Sequence, residues 1–130
     1  MNYPNLAKET VVVNSGMDAV VIRHYIAGIQ GGRTLDTEGF TGEVIKAGHV
    51  IIKENETGNY KPMPVTGDAY ASLPEGHEYA GVLVCSVLAS EPFAGIMYAG
   101  EVNDIASPYK VDAIKAAMKS ALPQLVFMHD

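Results

Sequence analysis

Four histidines, His24, His49, His77 and His129, are the side chains best suited to proton transfer or metal ligation near neutral pH. None stands two or four residues from another, and Cys85, the single cysteine, partners none of them in sequence. Metal-ligand spacing is therefore absent from the sequence. Asp36, Glu38 and Glu43 could supply paired carboxylates for glycoside hydrolysis or for calcium. The Asp-x-Glu spacing lacks the other ligands of a calcium loop, and a solvated turn is the more economical reading. Ser72, Ser86, Ser90 and Ser107 lack the Gly-x-Ser-x-Gly context of an activated nucleophile. Gly31-Gly32-Arg33 is not a phosphate loop, because no Gly-Lys-Ser/Thr follows it. Arg33 with its flanking amides could hold an anion, but paired glycines mark turns in general.

Two chemical arrangements stay open. A small β-barrel hydrolase would bring His49 or His77 to Asp36 within hydrogen-bond reach in a shared cleft. A small-ligand or carbohydrate-binding module would instead show an exposed aromatic platform, for instance from Tyr60 and Tyr70. The seven tyrosines are spread along the chain and suit contacts with one dry and one wet end.

The elements that must position these residues are short. Asp18 to Ile29 reads as a strand because β-branched residues dominate Ala19-Val20-Val21-Ile22. His49 to Lys53 reads as another, paired in a hairpin with Asn59-Tyr60-Lys61 across the turn at Glu56-Thr57-Gly58. Pro62 and Pro64 cannot donate to a ladder, so that segment is an edge or a loop. Val65 to His77 reads as a long loop. Tyr79 to Leu88 is apolar on both faces and belongs at the centre of the core. Within it Cys85 is expected to be a buried small hydrophobe. Phe93 to Val102 and Gln124 to Met128 complete the strands. One helix is expected, opening at Ser107-Pro108 or Asp112 and ending before Pro123, with Val111, Ile114, Met118 and Leu122 on its apolar face. The fold class is mainly β with one C-terminal helix (α+β), a small barrel or sandwich of short strands.

The chain has 130 residues, enough for one domain with a sizeable core. Residues 1–30 read as an arm and first-strand region, and 31–130 as the β-rich body. A net charge of −6 disfavours nonspecific binding to nucleic acid or an anionic membrane. One cysteine closes no intrachain disulfide. No apolar run reaches the ~20 residues of a membrane helix. The first residues lack the order of a signal peptide, which predicts synthesis and folding in a cytoplasm.

A wider pattern appears when the segments are taken in order. Gly31-Gly32-Arg33-Thr34-Leu35-Asp36 leads to Val44-Ile45-Lys46-Ala47-Gly48-His49-Val50-Ile51-Ile52-Lys53. Tyr60-Lys61-Pro62-Met63-Pro64-Val65 and Leu73-Pro74-Glu75-Gly76-His77 follow. Tyr79-Ala80-Gly81-Val82-Leu83-Val84 and Ala94-Gly95-Ile96-Met97-Tyr98-Ala99-Gly100-Glu101-Val102-Asn103 come next, and Leu122-Pro123-Gln124-Leu125-Val126-Phe127 closes the series. From Gly31 to Asp130 this resembles tailed-phage head decoration or head-fibre proteins, including prophage copies in gut bacteria. The likeness is weaker before Gly31. It implies a small β-rich protein, commonly a homotrimer, that clamps the outside of a capsid and binds the major capsid protein. It implies a place on the virion surface, no nucleic-acid or membrane partner, and no catalytic residue, cofactor or metal. The N-terminal arm is the candidate for a strand added to the shell, with Tyr3, Leu6, Val11, Val12 and Val13 as partner contacts.

Overall fold

The apolar run that begins at Tyr79 forms a strand with a neighbour on each side, as a segment without a polar face requires. A computed structural model describes residues 14–130. The contacts expected of Tyr3, Leu6, Val11, Val12 and Val13 lie outside the described residues. In chain order the elements are α1 (Asp18–Val21), β1 (Ile22–Gly28), β2 (Arg33–Thr34), β3 (Val44–Ile45), β4 (Val50–Glu54), β5 (Tyr60–Pro62) and β6 (Val65–Thr66). Then come β7 (Ala69–Tyr70), β8 (His77–Leu83), β9 (Val87–Leu88), β10 (Phe93–Ala94), β11 (Ile96–Val102), α2 (Lys115–Ala121) and β12 (Leu125–Phe127).

The main sheet has six strands in the order β1-β11-β8-β4-β5, with β12 also paired to β11. β11 divides its length between partners. Ile96 and Met97 pair with β8, while Gly100 to Val102 pair in parallel with β12. Short two-stranded sheets, β2 with β10, β3 with β9 and β6 with β7, use the remaining strands. The architecture is thus mainly β with a short C-terminal helix and several sheets. Among the described residues no sheet closes on itself, which overturns the expected β-barrel in favour of an open-sheet or sandwich arrangement. The reason is local. β5 is three residues long and ends at Pro62, which has no N–H to offer a further strand, and the other end of the path is β1.

Both faces of the sheet are covered. Val50, Ile52, Tyr79, Val82, Met97 and Val102 join Val111, Ile114 and Met118 in one core. Ile51, Leu83 and Ile96 join Leu35, Ile45 and Ala94 in another. Each such aliphatic side chain contributes roughly 1.5–3 kcal/mol by leaving water. Tyr79 and Val82 could not share a face in a regular strand, being three residues apart. A bulge permits it: Ile51 pairs with Gly81 and Ile52 with Tyr79, so Ala80 is the extra residue. Gly81 has φ +154, and a Cβ there would collide with the Met97 carbonyl oxygen.

The expected hairpin of β4 with β5 is present, antiparallel, with Ile52 opposite Lys61. Four departures from expectation have identifiable causes. The stretch from Asp18 opens as α1, not as a strand. The amides of Val20 and Val21 both bond back to the Met17 carbonyl, and the Asp18 carboxylate is taken by Ser86. The run ending at Leu88 breaks after Leu83, and Cys85 is exposed on the resulting bend, not buried. Val65 to His77 holds the small β6–β7 hairpin. α2 begins at Lys115, well after Ser107. The Asn103 carboxamide oxygen accepts the Ile105 and Ala106 amides, and the Ser107 hydroxyl donates to the Asn103 carbonyl, so this stretch is a turn. Val111, Ile114 and Met118 are buried as the periodicity predicts, though the first two reach the core ahead of the helix.

Candidate functional site

A concavity lies beside β5, against the loop that follows β2. It encloses about 520 Å³, within the range of small-ligand sites. Asp36 and Glu38 come from that loop, where the Asp36 carboxylate accepts the Glu38 amide at 3.1 Å. The Asp36 amide donates to the Tyr60 carbonyl, which ties the loop to β5. Pro62, Met63 and Pro64 form one wall, with Phe40 and Tyr109 as aromatic walls and His77 at the start of β8.

His49 stands behind this cavity and organises it. It is 1% exposed. Its Nε2 donates to the Met63 carbonyl at 3.0 Å, which fixes the proton on that nitrogen, since a carbonyl can only accept. Phe40 and Tyr109 meet the imidazole edge to face, with centroids at 6.0 and 5.5 Å, and Tyr70 does so at 5.4 Å. Burial lowers the His49 pKa to about 4 against the raising effect of the Met63 bond. The ring is therefore a neutral packing element at physiological pH. Tyr70 is buried too, and desolvation raises its pKa. Its hydroxyl accepts the Val50 amide at 3.0 Å and donates to the Gly48 carbonyl at 3.4 Å.

The residues expected to do chemistry are thus partly assembled. His77 and Asp36 line the same cavity, but His77 Nδ1 donates to the Glu75 carbonyl at 3.0 Å. His49 bonds a carbonyl, not a carboxylate. Among the described residues, the histidine hydrogen-bonded to a carboxylate is His129, whose Nδ1 lies 3.0 Å from Asp104 Oδ1, away from the residues that line this cavity. Lys115 Nζ meets the other oxygen of Asp104 at 2.7 Å and, with His129, holds this carboxyl below the usual carboxylate range. His24 is exposed on β1, opposite Glu101. Glu43 is separate from Asp36 and Glu38 and borders a smaller hollow with Leu88 and Ser90. Among the described residues no group of three or more His, Cys, Asp or Glu is placed to hold a metal ion. No helix there is long and apolar enough to cross a membrane.

Tyr60 and Tyr70 do not form an exposed platform together. Tyr70 is buried, while Tyr60 is half-buried, with the Arg33 guanidinium 5.9 Å and the Lys53 ammonium 5.7 Å from its ring centroid. Sequence reasoning selected Asp36, Glu38 and His77 but not Phe40, Tyr109 or Pro74. The available signal was the Pro62-Met63-Pro64 run, whose fixed dihedrals hold a wall without ladder bonds. No protein-family model, curated protein or solved structure matches this chain.

Proposed function

We propose that this protein is a non-catalytic component of a tailed-phage or prophage head, a decoration or head-fibre protein that binds the major capsid protein on the outside of the capsid as a homotrimer. The resemblance from Gly31 to Asp130 motivates the reading. The observation that supports it most is the unequal treatment of the two sheet edges. β5 is short and ends in proline, a common way to blunt an edge. β1, which pairs only with β11 among the described residues, runs for seven residues without proline, carries one charged side chain, Arg23, and is bent by bulges, and its Tyr25 and Ile26 are 53% and 62% exposed. An unpaired edge with apolar side chains is a template for another chain's strand. A clip that binds only the expanded lattice stabilises that state by its differential affinity, and repeated contacts add avidity.

The test is co-sedimentation of the chain with expanded phage heads, together with its mass in solution. The expected species is a trimer of the 13.9 kDa chain that pellets with heads. Tyr25→Asp with Ile26→Asp should weaken pelleting at least about tenfold without unfolding the protein, because both side chains face solvent. Deleting Met1 to Ser15 should also weaken it if the arm adds a strand. A monomer at high concentration that ignores heads would remove the reading.

A further inference from the structure

We propose that the cavity beside β5 is a binding site for a single cationic group on an apolar stem, the chemistry shared by an arginine side chain and a free alkylguanidinium. Its floor and walls are apolar: Ile52, Met63, Pro62, Pro64, Phe40 and Tyr109. They suit a stem of a few methylenes, and an aromatic face attracts a cation. The polar groups at the cavity are mainly acceptors. Neither Asp36 nor Glu38 forms an ion pair among the described residues. His77 spends Nδ1 on the Glu75 carbonyl, which in the neutral ring leaves Nε2 as an acceptor. Among the described residues Lys61 is the one ammonium at the cavity, and it is held 3.1 Å from Glu54. A donor-rich cation completes this set, whereas an anion would meet two unpaired carboxylates.

The walls are also fixed before any ligand arrives. Met63, Phe40 and Tyr109 each line the cavity and each contact the buried His49. A preformed wall lowers the ordering cost of binding. His49 is accordingly a positioning residue for this site and touches no ligand itself.

The experiment is an amide NMR titration of the full chain with butylguanidinium, with neutral butyramide as the matched control. Saturable shifts are expected for Asp36 to Gly42, Met63 to Val65 and His77, with butyramide at least ten times weaker. Glu38→Gln, on an exposed loop, and Asp36→Asn, which keeps an acceptor for the Glu38 amide, should each weaken binding several-fold. Their unchanged spectra elsewhere report an intact fold. Head pelleting of the same variants assigns the source. A parallel loss identifies a partner's arginine, and unchanged pelleting identifies a free alkylguanidinium, the cavity standing in both cases. No saturable shift at these residues, or equal shifts from butyramide, overturns the proposal.

Discussion

Asp18 holds Ser86 with both carboxylate oxygens, one on the backbone amide at 2.8 Å and one on the hydroxyl at 2.7 Å, across 68 positions of chain. The Ser86 hydroxyl oxygen in turn accepts the Ala47 amide at 3.0 Å. Three separate segments are thus fastened at one point, where α1 meets the bend after β8. Charge-assisted bonds of this kind are worth more than neutral ones, and unpairing them leaves partly buried donors. Asp18→Ala should cost about 2–3 kcal/mol in urea unfolding. Ser86→Ala keeps the backbone bond and should cost less, about 1 kcal/mol. Equal, negligible effects would show the contact to be incidental.

His49 gives stability a defined acid limit. Its pKa falls from an ordinary 6.5 to about 4 in the folded protein. Between those values the unfolded chain binds more protons than the native one, so stability falls with falling pH. The contribution is complete above about pH 6.5 and lost by about pH 4, and amounts to about 3 kcal/mol. Unfolding free energies measured across that window should show the slope. His49→Phe should be less stable overall yet lose this part of the slope. An unchanged slope in the variant would place the titration elsewhere.

Asp104 acts at lower pH and in the same direction. Its bond to Lys115, and then that to His129, favours the carboxylate, so its stabilisation is present above the normal carboxylate range and lost as pH falls through its depressed pKa. Lys115→Ala should raise the Asp104 pKa, read from its side-chain carboxyl carbon by NMR. It should cost only about 0.5–1 kcal/mol, because the lysine side chain is 40% exposed and water weakens the pair.

Gly81→Ala should be among the most damaging single changes, at roughly 2–4 kcal/mol by thermal or urea unfolding. The added methyl meets the Met97 carbonyl oxygen, which belongs to a paired strand and has no room to move. A tolerated alanine would mean that the bulge can regularise, at the cost of turning Tyr79 away from its core.

Much of this architecture was legible in local pattern. The β4–β5 hairpin follows from Gly58 between two extended runs, and the central place of β8 follows from its lack of a polar face. The helical face at Val111, Ile114 and Met118 was legible too, because three- and four-residue spacing survives even where turns replace the first helical residues. Patterns failed where a distant partner decides. Nothing near Asp18 announces Ser86, so the β-branched stretch after it reads as strand. Cys85 sits in an apolar run yet lies past the point where that run leaves the sheet. The cavity was half visible: Asp36, Glu38 and His77 have chemically suggestive side chains, whereas Phe40, Tyr109 and Pro74 become walls only when the chain closes around His49. The openness of the sheet was foreshadowed at Pro62 and still not enough to exclude a barrel, since edge status alone does not say whether the ends meet.

The division of β11 between two neighbours sets an order on biosynthesis. β8 precedes β11, so that pairing is available as soon as β11 leaves the ribosome. β12 emerges only after α2, and until then Gly100 to Val102 present naked amides and carbonyls on that side of a nascent sheet. The pairing of β12 therefore works as a seal, and a chain stalled or clipped before it would expose an adhesive seam that the folded molecule hides.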